Sequence, residues 1–156
     1  VGFGRYPHSK GRLTRKDEEA ISNAIEFFGL TDLEHRYLDQ LSGGQRQRAY
    51  VAMVLCQDTD YILLDEPLNN LDMKHSVQMM KHLHKVAVEL GRTVVIVLHD
   101  TNFAGHYADR ICAMKDGKVV EFGTPEEILV DETLTRVFDT PVTCVEGPNG
   151  RLAVYY

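Results

Sequence analysis

The chain has 156 residues, is 44% hydrophobic and carries a formal net charge of -6. That length accommodates one ordinary globular domain with a real core. The acidic balance argues against a dedicated nucleic-acid binder, which gathers phosphates on a basic surface, and the longest apolar runs, 50–56 and 94–98, fall well short of the roughly 18 to 20 residues that cross a bilayer, so a soluble chain is expected.

Val1 rather than a methionine opens the chain, and Val1 to Gly4 holds neither a charged n-region nor an apolar h-region. A truncated product is the expectation. Gly2 to Arg12 is rich in glycine and basic residues and contains Pro7, which predicts an exposed loop. Thr14 to Gly29 then reads as an amphipathic helix: Thr14 and Asp17 have capping-box spacing, Ala20, Ile21, Ala24, Ile25 and Phe28 form a stripe, and Gly29 is the stop. A short turn or helix is expected near Thr31 to His35, and a further helix from Ser42 to about Gln57.

Beyond Asp58 the pattern changes. Tyr61 to Leu64 is a continuous apolar run, Asp72 to Leu90 has helical spacing at Val77, Met80, Leu83, Ala87 and Leu90, and Thr93 to Leu98 is β-branched and apolar. This is a βαβ unit closed by Gly91, and strands apolar on both faces predict a covered parallel sheet. Arg110 to Lys115 and Lys118 to Phe122 flank Asp116-Gly117, a strong hairpin signal. Thr124, Pro125 and Glu127 announce a short helix, and Val142 to Glu146 with Arg151 to Tyr155 around Gly147 to Gly150 predicts a last hairpin. Cys56, Cys112 and Cys144 are odd in number, widely spaced and set in apolar context, which predicts buried reduced thiols in a cytoplasmic protein and no metal role.

Two stretches carry chemistry. Ser42, Gly43, Gly44 and Gln45 satisfy the capping-box pattern without any ligand, but the glycine pair also lets an anion approach backbone N–H groups at the positive end of a helix. Asp65 and Glu66 end an apolar run, and in parallel α/β sheets ligands sit beyond the carboxyl ends of strands. Asp65 is thereby placed to hold a magnesium shell, usually through water, and Glu66 to accept a proton from attacking water. His99 ends the next apolar strand and is expected on the same edge, in polar contact with a terminal phosphate or with Glu66. His82 and His84, two apart on a helix, make a poor metal pair. With His8, His35, His75 and His106 they read as surface or packing residues.

In order, LSGGQRQR, YILLDEP, NNLD at Asn69 to Asp72 and LHD at Leu98 to Asp100 resemble the second half of an ATP-binding-cassette (ABC) transporter ATPase. The resemblance implies an α/β fold, a partial P-loop NTPase of ABC type: a helical (signature) subdomain over 1–57, then over 58–156 the C-terminal part of the ATPase core, a mainly parallel sheet with flanking helices and C-terminal hairpins. It implies ATP and Mg2+ as cofactors and a homodimer of two ATPase subunits arranged head to tail. Membrane permease subunits follow as partners, with a substrate-binding protein indirectly and no nucleic acid.

Carried over by position, Ser42, Gly43, Gly44 and Gln45 would meet the γ-phosphate held by the partner, Asp65 would serve magnesium and Glu66 would be the general base. Asp72 would communicate across the dimer, and His99 would be the switch histidine. No GxxxxGK[ST] loop occurs in the chain, so the N-terminal phosphate-loop portion is expected to be missing and the fragment alone to be inactive. Gly4-Arg5-Tyr6-Pro7-His8 and Leu68 to His75 resemble the importers of ferric siderophores, haem or cobalamin, which implies a peripheral subunit on the cytoplasmic face of a bacterial membrane. The rivals are an ABC-type ATPase acting on nucleic acid or in translation, expected to show a basic surface or a coiled-coil arm, and a non-catalytic interaction module.

Overall fold

The computed structural model describes residues 1–9, 12–148 and 150–155. The chain divides into two compact units, Val1–Val97 and Leu98–Tyr156.

The first unit begins with a 3-10 turn at Gly2–Arg5 and a short helix α1, Tyr6–Ser9. This corrects the loop expected over Gly2 to Arg12, of which Lys10 and Gly11 lie outside the described residues. Pro7 is tolerated because it is the second residue of α1, where an N–H has no partner within the helix. Two side chains tie the segment down: Arg5 donates from Nε to Asp17 Oδ1 at 2.8 Å and from Nη1 to the Cys56 carbonyl at 3.0 Å, and His8 Nε2 lies 2.8 Å from the Gln57 carbonyl oxygen.

Helix α2, Arg15–Phe27, starts as the sequence predicts, with Thr14 and Asp17 forming a capping box. It ends before Gly29, whose φ of +60° suits glycine. Ala24 and Phe28 are fully buried, while the rest of the stripe is partly so. A 3-10 turn at Thr31–Leu33 answers the short element expected there, and a second at Leu38–Gln40 leads into α3, Gly43–Leu55. Arg48 of α3 donates to the Phe28 carbonyl at 3.1 Å, joining the two helices.

Strand β1, Tyr61–Asp65, helix α4, Met73–Leu90, and strand β2, Thr93–Val97, form the expected βαβ unit, with β1 and β2 parallel and Asp65 opposite Val97. Gly91 closes α4 in the left-handed conformation. Met79, Met80, Leu83 and Val86 bury the inner face of α4, and the half-buried His82 ring packs 5.3 Å from Phe28, so it serves as a packing residue. The sheet is not covered on both faces: Ile62 is buried, but Leu63 is 71% exposed and Tyr61, Val95 and Val97 share its exposed character. Alternation along a strand sends successive side chains to opposite faces, and within this unit one face is packed.

The second unit comprises α5, Thr101–Tyr107, the hairpin β3–β4, Ile111–Lys115 and Lys118–Gly123, the helices α6, Pro125–Ile128, and α7, Asp131–Phe138, and the hairpin β5–β6, Thr143–Gly147 and Gly150–Val154. Both hairpins are antiparallel, so among the described residues the parallel part of the expected sheet is confined to β1 and β2. Asp116 and Gly117 have φ of 49° and 73°, the two positive values a tight primed turn demands. In the last hairpin's turn, Asn149 lies outside the described residues. Ala113, Ile128, Leu129, Leu134, Val142 and Ala153 form the core of this unit. Asn102 of α5 completes it by exchanging two bonds with the backbone of β6, donating to the Ala153 carbonyl at 3.3 Å and accepting from the Ala153 N–H at 2.8 Å.

Of the cysteines, all free, Cys56 is buried as expected, but Cys112 is exposed and Cys144 half-buried. Cys112 pairs across the hairpin with Phe122, itself exposed, on the face opposite to buried Ala113. Burial pushes the thiols of Cys56 and Cys144 up, the latter with help from the Asp131 carboxylate.

Candidate functional site

Ser42 is the N-cap of α3. Its Oγ accepts from the Gln45 N–H at 3.3 Å, and Gln45 Oε1 accepts from the Ser42 N–H at 2.9 Å, closing a reciprocal capping box. The helix start thus holds its own shape, while the N–H groups of the first helical residues, Gly43 and Gly44, have no partner within the helix. The glycine pair also has a packing reason that the sequence does not reveal. A Cβ on Gly44 would lie 2.9 Å from His75 Cδ2, and one on Gly43 would lie 3.9 Å from the Asn70 carbonyl oxygen. The first turn of α3 therefore backs onto the first turn of α4 and lies near the segment joining β1 to it.

That segment carries the acids. Asp65 is exposed at the end of β1, and Glu66 follows it half-buried with φ of 48°. A non-glycine residue held there costs free energy that the surroundings must offset, a feature that clusters at functional sites. Asn69 helps hold it, its Nδ2 donating to Glu66 Oε2 and its backbone N–H to the Glu66 carbonyl at 3.1 Å. Pro67 is fully buried beneath the turn.

Asp72 is the N-cap of α4. Its Oδ1 accepts from the His75 N–H at 2.9 Å and lies 2.8 Å from His75 Nδ1, and those two bonds hold its carboxyl below the usual range. His75, which the sequence places among the surface or packing histidines, thus partners Asp72 from three residues along, the spacing of a capping pair. Nothing in the sequence marked Glu66 as left-handed.

His99 is exposed, two positions beyond Val97 in the chain and in the second unit. Its neighbour Asp100 caps α5, accepting from the Asn102 and Phe103 N–H groups at 2.8 and 3.1 Å.

Among the described residues no group of three or more His, Cys, Asp or Glu side chains converges as a metal cage. Magnesium needs no such cage, since it keeps several waters and takes one or two carboxylates together with substrate phosphates, and exposed Asp65 at the end of β1 is a carboxylate of that kind.

Residues 5–69 match the family described as ABC transporter. The chain is 63% identical over 155 residues to the petrobactin import ATP-binding protein FatE of Bacillus anthracis, covering 99% of this chain and 62% of that protein. It is 53% identical over 156 residues to the petrobactin import ATP-binding protein YclP of Bacillus subtilis, covering all of this chain and 62% of the relative. With the ferric enterobactin transport ATP-binding protein FepC of Escherichia coli it shares 41% identity over 150 residues, 95% of this chain and 55% of the relative. The chain thus spans between half and two thirds of the length of these relatives. Among solved structures, it superposes with TM-score 0.88 on an inward-facing ABC transporter described as of the metal-chelate type, at 26% identity over 99% of this chain and 63% of that one. With cbiO1 of Clostridium perfringens, part of the transporter complex cbiONQ, the TM-score is 0.73 at 29% identity, covering 85% of this chain and 53% of that one. No helix among the described residues is long and apolar enough to cross a membrane.

Proposed function

We propose that this chain is the C-terminal part of the ATP-hydrolysing subunit of an ABC importer for an iron chelate of the siderophore class. The observation that carries the hydrolytic reading is the acid pair at the end of β1, with Glu66 fixed in the left-handed conformation directly after Asp65. The cargo class rests on the relatives' names, two of which specify petrobactin and one ferric enterobactin.

In this reading residues 1–57 are the helical subdomain and 58–156 the C-terminal part of the ATPase core. Ser42, Gly43, Gly44 and Gln45 offer backbone and side-chain donors at the start of α3 to the terminal phosphate of ATP held by a second copy. Asp65 would hold the water shell of Mg2+, and Glu66 would take the proton of the attacking water. His99 is assigned the polar contact to the terminal phosphate, and Asp72 relays closure between the two copies. The bound nucleotide and its magnesium supply the transferable phosphoryl group and the charge neutralisation; the chain's own contribution is positioning and proton removal. Partners are a second ATPase subunit, the membrane permease subunits on the cytoplasmic face and, through them, a substrate-binding protein. The chain without a phosphate loop is expected to show no turnover.

The test is phosphate release by the full-length subunit assembled with its permease in vesicles, alongside uptake of ferric siderophore. Glu66→Gln is expected to lower hydrolysis by about 100-fold or more, the scale of losing a general base, and to stop uptake. Hydrolysis undiminished in Glu66→Gln overturns the catalytic assignment. Intact hydrolysis with no response to any iron chelate overturns the cargo class.

A further inference from the structure

From sequence His75 reads as a surface or packing residue, yet its ring lies between the first turn of α3 and the N-cap of α4. One ring edge faces Asp72, with Nδ1 2.8 Å from Oδ1 of the carboxylate that caps α4. The opposite edge lies against Gly44: a Cβ built there would stand 2.9 Å from Cδ2, 3.1 Å from Cγ and 3.5 Å from Cβ of His75. No side chain larger than glycine's hydrogen fits at position 44 with the imidazole in place. The backbone N–H of His75 donates to the same Asp72 oxygen at 2.9 Å, so the ring's base is fixed as well as its tip.

A planar ring held by a charge-assisted bond on one edge and backbone contact on the other transmits displacement between its neighbours, because neither contact yields without loss of packing or of a hydrogen bond. We propose that His75 is a positioning residue that locks the first turn of α3 to the Asp72 loop, so that the two elements meant to meet the second copy of the subunit present themselves in one fixed register. The inference rests on the site reading above, in which the first turn of α3 meets the nucleotide held by a second copy and Asp72 relays closure between the copies. His75 touches no reacting atom; it acts through Gly44 and Asp72.

A residue of this kind governs how readily the nucleotide sandwich closes, and much less what happens once it has closed. In the full-length subunit with its permease, His75→Ala is expected to raise the KM for ATP about fivefold while kcat stays within about twofold, the signature of lost binding alignment as opposed to lost chemistry. His75→Asn keeps an N–H donor for Asp72 and is expected to recover at least half of the KM defect. ATP-dependent dimerisation of the subunit in a Glu66→Gln background, followed by light scattering, is expected to need several-fold more ATP when His75→Ala is added. A KM unchanged in His75→Ala overturns the proposal. So does a parallel fall of kcat and thermal midpoint that His75→Asn does not relieve, which describes an ordinary packing residue. Hydrolysis that survives Glu66→Gln alone overturns the underlying site reading and the role of His75 with it, whereas hydrolysis lost in Glu66→Gln with a normal His75→Ala overturns the role of His75 by itself.

Discussion

Arg5 and Asp17 form an ion pair of 2.8 Å whose side chains are 5% and 4% exposed, linking the N-terminal turn to the first turn of α2. Both partners are further satisfied, Arg5 by the Cys56 carbonyl and Asp17 by the Thr14 hydroxyl and N–H. Removing one member of such a pair leaves the other desolvated without its counter-charge, so Arg5→Ala is expected to lower the thermal midpoint far more than Arg15→Ala, whose ion pair with Glu19 lies at the surface. Equal effects in a melting experiment contradict that ordering.

The same pair sets a pH dependence. The Thr14 hydroxyl and N–H, followed by Arg5, hold the Asp17 carboxyl at about 2 against an ordinary 3.8. A carboxyl depressed on folding stabilises the folded state at pH above its unfolded value and loses that contribution as pH falls through the folded one. The thermal midpoint is therefore expected to drop between about pH 4 and pH 2, and part of that drop is expected to vanish in Asp17→Asn, whose stability starts lower and is flatter with pH.

Gly4 packs against the C-terminal part of α3 with no room to spare: a Cβ there would collide with the Met53 carbonyl oxygen and lie 2.9 Å from Cys56 Cβ. The obstruction is backbone, which cannot rotate away. Gly4→Ala is expected to cost about 3 kcal/mol, the upper end for overpacking, and Gly2→Ala, with its nearest contact at 3.4 Å, little. Urea denaturation of the two variants separates them.

Glu66 predicts a conflict between stability and function. At φ of 48° an L-residue is strained, and glycine is not. Glu66→Gly is expected to be about 1 kcal/mol more stable than Glu66→Ala, which loses the same carboxylate but keeps the strain. Both are expected to be inactive in hydrolysis by the full-length subunit. Chemical denaturation of the pair measures the strain directly.

Asn102 imitates a strand partner for β6 through its two bonds to Ala153. Asn102→Ala leaves that backbone N–H and carbonyl without their amide, and about 2 kcal/mol of destabilisation is expected. Hydrogen exchange at the Ala153 amide is expected to accelerate accordingly.

The sequence by itself determined the helices α2, α3 and α4, the parallel order of β1 and β2, and both hairpins. These follow from local rules: Thr14, Ser42 and Thr124 cap with partners three residues on, Gly29 and Gly91 accept positive φ, and Asp116-Gly117 permits one kind of turn. The candidate residues were legible for the same reason, since Ser42 to Gln45, Asp65, Glu66 and Asp72 all sit at element ends that punctuation marks. Short helices such as Tyr6–Ser9 and Asp131–Phe138 were not legible, because they are too brief to show a period and are held by distant partners such as Gln57 for His8 and Cys144 for Asp131. Only the tertiary structure decided that Arg5 is buried, that Leu63 is not, that Glu66 is left-handed, and that His75 lies between Asp72 and Gly44. Each of those depends on what another part of the chain does with the same space, and residue type and spacing carry no record of that.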